Sequence, residues 1–234
     1  MKTNLSVNQI PVLLRGDPDS ISKWIQRWNI SQMLTYVAVI VLGTGLYGAA
    51  MGLWRDPVQA LYTAIKFPLI ILLTALGNAL LNGMLAPLLG LNIGFRQSLL
   101  AVLMSFTIVA IILGAFSPLM LFLVWNTPPI SQQELASSSH SFILLMQVVV
   151  ISFAGIAANL RLVQLLQQLS GSQQIARKIL FAWLAGNLFL GSQLSWVLRP
   201  FIGAPHLPIQ FLRPNAFQGS FYETVFNSLR NLFT

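Results

Sequence analysis

Two histidines, five acidic residues and no cysteine are all that 234 residues offer for metal binding or for acid, base and nucleophilic chemistry. His140 follows the Ser137, Ser138, Ser139 run and His206 lies in a Pro-rich tail. Neither has a second histidine or a carboxylate at the spacing of a metal ligand pair or a catalytic triad. Glu134 and Glu223 stand alone, the serine run reads as flexible loop, and no Gly-rich phosphate loop occurs. Without cysteine there are no disulfides, thiol nucleophiles or thiolate metal sites. No catalytic residue, metal or cofactor is expected, and the chain does not read as an enzyme.

The side chains that could do something else are amides and hydroxyls inside apolar stretches. Thr74, Asn78 and Asn82 recur every fourth residue beside Gly77, which places them on one helical stripe. Asn187, Gly191 and Ser195 make a second stripe with Gln193 on another side, and Gln147, Ser152 and Asn159 add polar groups to a third stretch. Amides in hydrocarbon need hydrogen-bond partners, so the stripes should face a bundle interior. There they either bond helix to helix or line a narrow polar path for a neutral solute. No carboxylate accompanies them, which argues against proton coupling or cation selection. Gly48 and Gly52, with Gly45 and Ala49 nearby, form a G-x-x-x-G pair that allows close backbone approach, expected within the chain rather than between copies.

The elements that position these groups follow from composition. With 56% hydrophobic residues, 8% charged residues and a mean hydropathy of +0.74, the chain reads as an all-α polytopic transmembrane helical bundle. A span needs roughly 20 apolar residues, which predicts five, over 33–54, 67–88, 98–124, 142–165 and 179–198. Residues 1–32 form a cytoplasmic N-terminal segment, 33–198 the membrane domain and 199–234 a Pro-rich tail. A cleavable signal peptide is not expected, because the first 32 residues are polar and carry Asp17 and Asp19. Pro87 and Pro118 predict kinks, with a re-entrant break as the alternative. Basic residues favour a cytoplasmic N-terminus, where Lys2, Arg15, Lys23, Arg27, Arg96, Arg161, Arg177 and Lys178 share one side. The other side, which includes the tail, receives Arg55, Arg199, Arg213 and Arg230, with Lys66 near a boundary. The protein is thus placed in the cell inner membrane with its C-terminus outside.

Three amphipathic interfacial helices are expected beside the spans. In the first, Asp19 or Ser20 caps a run in which Ile21, Trp24, Ile25 and Trp28 share a face and Lys23 and Arg27 oppose it, suited to anionic headgroups or a partner protein. In the second, Asp56-Pro57 opens a short surface helix with Val58, Leu61, Tyr62 and Ile65 on one face, and Lys66 snorkels from its end to the interface. In the third, Ser220 and Glu223 set a capping box before an apolar run. Trp196 and Arg199 anchor the end of the last span, with an Arg199–Glu223 salt bridge as the alternative, and Arg213 lies in the tail that packs back on the protein or membrane.

The charge of +8 is scattered among spans rather than gathered on one face, so nucleic acid is not an expected partner. The stretch from Asp56-Pro57 through Lys66-Phe67-Pro68 to Arg96-Gln97-Ser98, within five spans behind a cytoplasmic segment, resembles the Yip1-type membrane domain. The Asp-Leu-Tyr-Gly-Pro type motif of its eukaryotic members is missing. Trp196-Val197-Leu198-Arg199-Pro200-Phe201 with Phe221-Tyr222-Glu223 is similar to uncharacterised bacterial polytopic membrane proteins. The resemblance implies a shape and no activity. The expected role is a non-enzymatic structural or assembly subunit that binds membrane lipids and other membrane proteins or further copies of itself. A small channel or permease for a neutral or weakly polar solute is the rival.

Overall fold

The computed structural model describes residues 9–15, 29–128, 133–203 and 207–223. Among these the regular structure is helical: α1 (Gln9–Arg15), α2 (Ile30–Gly52), α3 (Pro57–Leu88), α4 (Phe95–Asn126), α5 (Gln133–Ser170) and α6 (Gln173–Val197). An apolar segment that leaves water has to satisfy its own backbone, and the helix does so within the segment. Four helices are long and apolar enough to cross a membrane: α2, α3, α4 and the Ser138–Ser170 part of α5. Helix α6 has 25 residues, but Asn187, Ser192, Gln193 and Ser195 interrupt its apolar run and it does not join those four.

Local chemistry sets the helix starts. The Asn29 side chain accepts from the Ser31 amide at 2.9 Å, and Asp56 accepts from the Val58 amide at 2.7 Å with Pro57 in the first turn. Gly171, at φ 63°, turns the chain from α5 into the Ser172 cap of α6. The expected surface helix after Asp56 is not separate: α3 runs 32 residues without interruption through Pro68. Pro68 lacks a donor, yet it is buried in packed surroundings against α2, which hold the helix together there. Helix α4 likewise continues through Pro118 and α3 ends one residue past Pro87, so neither proline makes a re-entrant break. The serine run at 137–139 belongs to α5 and not to a loop.

Helix α4 sits at the centre. It packs against α2, α3 and α5, and α6 completes the bundle on α3 and α5. Two glycine seams bring α2 close to its neighbours. A Cβ at Gly43 would collide with the Ala110 carbonyl of α4, while one at Gly48 or Gly52 would lie 2.7 Å from the Thr63 or Gln59 carbonyl oxygen of α3. The G-x-x-x-G pair thus allows a close approach inside the chain. Helix α1 was not anticipated; its Leu13, 2% exposed, packs on α4. Trp24, Arg27 and Trp28 lie outside the described residues.

Candidate functional site

Helix α3 carries one polar stripe along most of its length. Gln59, Thr63, Lys66, Thr74, Asn78 and Asn82 are all buried, and Gln59, Thr63, Lys66, Asn78 and Asn82 have no exposed surface at all. Steps of three, four and eight residues keep them on one face.

The second half of the stripe meets α6. Asn78 donates from Nδ2 to Asn187 Oδ1 at 2.6 Å and to the Trp183 carbonyl at 3.2 Å, and Asn82 donates to Asn78 Oδ1 at 3.0 Å. Gly186 makes the approach possible, since a Cβ there would stand 2.7 Å from Asn78 Oδ1. Gly191 passes beside Thr74, the nearest contact its own Cβ would make. Thr74 Oγ1, Asn82 Oδ1 and Trp183 Nε1 are buried without hydrogen-bond partners. Three of the predicted residues thus form one amide relay, Asn82 to Asn78 to Asn187. Asn159 does not join it, because its Nδ2 bonds back to the Gly155 carbonyl of its own helix at 2.7 Å. Ser195 lies farther along α6, in the wall of the cavity described below.

The first half of the stripe meets a loop. Gln59 donates to the carbonyls of Pro200 at 3.2 Å and Phe201 at 2.5 Å, and the Thr63 hydroxyl lies 2.7 Å from the same Phe201 oxygen. Lys66 donates from Nζ to the Pro200 carbonyl at 2.8 Å. Its amine also stands 4.9 Å from the Phe211 ring centroid and 5.9 Å from those of Tyr62 and Phe201. Lys66 does not snorkel to the interface: the aromatic faces and the loop carbonyl enclose it. This corrects the reading of Lys66 as an interfacial or partner-contact residue, because a continuous α3 turns its side chain inward. Arg55 adds a bond to the Leu207 carbonyl at 2.9 Å, so the tail does pack back on the protein. Gln59 and Thr63 were not recognised from sequence. Their steps of four and three to Lys66, in register with Thr74 and Asn78, were the available signal.

Beside this clamp lies a cavity of about 600 Å³. Helices α3 and α5 each pack on α4 and α6, and between them they leave a space walled by Ile70, Ile71, Leu144, Val148 and Ile151. Phe201 and Phe221 bound it from the tail. The wall is mostly apolar, and its polar members are His140, Gln147, Ser195 and Arg213. Gln147, 6% exposed, has its amide Nε2 buried without a partner.

The remaining predicted interface residues cluster at this end of the bundle. Arg199 lays its guanidinium 3.7 Å from the Trp196 ring centroid and donates to the Trp196 carbonyl at 2.6 Å, an arrangement distinct from the Glu223 salt bridge offered as an alternative. Burial and the nearby Arg213 charge hold the Arg199 guanidinium below its ordinary pKa. The Glu223 amide bonds to Ser220 Oγ at 3.1 Å, as in the expected cap, and the run after Glu223 lies outside the described residues. Among the described residues no three His, Asp or Glu side chains gather into a group that could hold a metal ion. No protein-family model, no curated protein and no solved structure matches this chain.

Proposed function

We propose that the chain is a five-span inner-membrane protein, N-terminus in the cytoplasm and C-terminus outside, that serves as a non-enzymatic structural or assembly subunit of a membrane complex. The observation that supports this is the fate of the α3 stripe. Asn78 is bonded to α6 and Gln59, Thr63 and Lys66 to the tail, with no exposed surface at Asn78 and Asn82. A solute path needs polar groups facing an aqueous lumen, whereas these groups lock helices and loop together. In this proposal α6 is the fifth span, held by its amide bonds despite its modest hydropathy, and the Yip1-type likeness describes the shared topology. Other membrane proteins are the partners.

The second reading, a channel or permease for a neutral solute, draws on the cavity between α3 and α5. One experiment separates the two. The tagged protein is purified from its native membrane in mild detergent, as wild type and as Asn78→Leu/Asn82→Leu, and bound proteins are identified and quantified by mass spectrometry. Stoichiometric recovery of the same membrane proteins with both forms is expected of a subunit. A clean homo-oligomer without partners overturns that role, and solute flux in proteoliposomes of the wild-type protein that is lost when Val148→Trp fills the cavity would establish the permease instead.

A further inference from the structure

We infer that the cavity between α3 and α5 is a binding site for an acyl chain of an anionic phospholipid, with the headgroup phosphate held at Arg213. Three independent features point to an amphipathic occupant with one charged end. The first is the wall. Ile70, Ile71, Leu144, Val148 and Ile151 present hydrocarbon along α3 and α5, and a volume of about 600 Å³ is in the range of small-molecule sites. Leu144 and Val148 are 44% and 59% exposed, and they sit on a helix apolar enough to cross the membrane, so a chain can enter sideways from the bilayer without crossing water.

The second feature is the polar end. Arg213 lines the cavity, Arg199 lies close enough for the two charges to be felt, and no acidic residue is among the described residues of the wall. Glu223, two residues beyond Phe221, has its carboxylate beside Gly219. A guanidinium recognises phosphate through paired N–H donors, and Arg213 is the charged side chain of the described wall. The third feature is Gln147. A buried amide donor without a partner costs free energy, and an ester carbonyl, which lies just below the phosphate of a glycerophospholipid, is the acceptor such a ligand would bring. Phosphate, ester and chain would each find a complementary group in this wall: arginine, amide and hydrocarbon.

The test uses the full-length protein in nanodiscs of phosphatidylcholine doped with a small fraction of photoactivatable lipid. The lipid carries a diazirine in its acyl chain and either a phosphatidylglycerol or a phosphatidylcholine headgroup. Crosslinked peptides are mapped and quantified by mass spectrometry. The phosphatidylglycerol probe should label peptides containing Leu144, Val148, Ile151 or Phe201 at least fivefold more than the phosphatidylcholine probe. Leu188, 71% exposed on α6 and outside the cavity wall, should show no such preference. Arg213→Gln should abolish the headgroup preference without repacking the bundle, and Val148→Trp, which fills the cavity, should cut its labelling by either probe severalfold. Equal labelling by both probes at the cavity, labelling there no higher than at Leu188, or labelling unchanged in both variants would overturn the site.

Discussion

The two halves of the α3 stripe solve the same problem against different partners. Asn78 and Asn82 face a helix, Gln59, Thr63 and Lys66 a loop. The carbonyls of a helix are already engaged by its own amides, so the second half finds its principal acceptor in another side chain, Asn187, and only a shared oxygen at Trp183. The segment at Pro200 and Phe201 is not helical, and its carbonyls are free to accept. That freedom lets a lysine be buried with no carboxylate beside it among the described residues, held by a carbonyl at 2.8 Å and three aromatic faces. Irregular backbone inside a membrane protein is tolerated where protein groups satisfy it, and here each side supplies what the other lacks. An amide relay joins two rigid bodies, whereas a donor cluster pins a loop.

Changes that strip one half and spare the other test this distinction. The largest effect is expected from Asn78→Leu, which orphans Asn187 Oδ1 and Asn82 Nδ2 together and should lower stability by about 3 kcal/mol at roughly 1–3 kcal/mol per orphaned group. Thermal unfolding in detergent measures it. Adding Asn187→Leu should then cost little more, because the partner is already lost; a fully additive loss would mean that the two amides do not act as a relay.

Lys66→Met should act locally. Removing the amine deletes the bond to Pro200 but also the cost of burying it. Amide hydrogen exchange at Phe201 and Ile202 should quicken by about tenfold, equivalent to ~1.4 kcal/mol of local opening, while α6 exchanges as before. Faster exchange throughout α6 would contradict a loop clamp separate from the amide relay. Thr63→Val should quicken the same amides by about threefold, since Gln59 still holds the Phe201 carbonyl.

The smallest effect, and one of opposite sign, is expected at Thr74→Val. Thr74 Oγ1 is buried without a partner between the two halves, so replacing it with a methyl of similar shape should leave the melting temperature unchanged or raise it slightly. A marked loss of stability would reveal a bond at Thr74 and make the stripe continuous.

Much of the relay was legible before any coordinates. Fourfold spacing of Thr74, Asn78 and Asn82 announced one buried face, and Asn187 with Gly191 announced another, without saying that the two meet. The clamp was not legible, for two reasons. Pro68 follows Lys66 closely enough to suggest a helix break, and with a break Lys66 belongs to the interface; only packing on α2 carries the helix through. The acceptors, moreover, are backbone carbonyls more than 130 residues away, and a carbonyl leaves no mark in a sequence. The cavity was hidden for the same reason, since its wall is drawn from several helices and the tail and most of its lining residues are ordinary apolar side chains one by one.

Apolar run length and the scarcity of charge decided by themselves that the chain is helical and has helices that can cross a membrane, because hydrocarbon admits no backbone that is not internally bonded. Residue type also decided that buried amides and small residues would mark the contacts between helices. Tertiary structure alone decided which helix each stripe meets, that Lys66 points inward, that the tail closes over α3, and that α3 and α5 stand apart to leave a cavity. Those outcomes depend on how side chains and carbonyls distant in the chain fill space together, and burial of that kind is a property of the packed ensemble of helices rather than of any one of them.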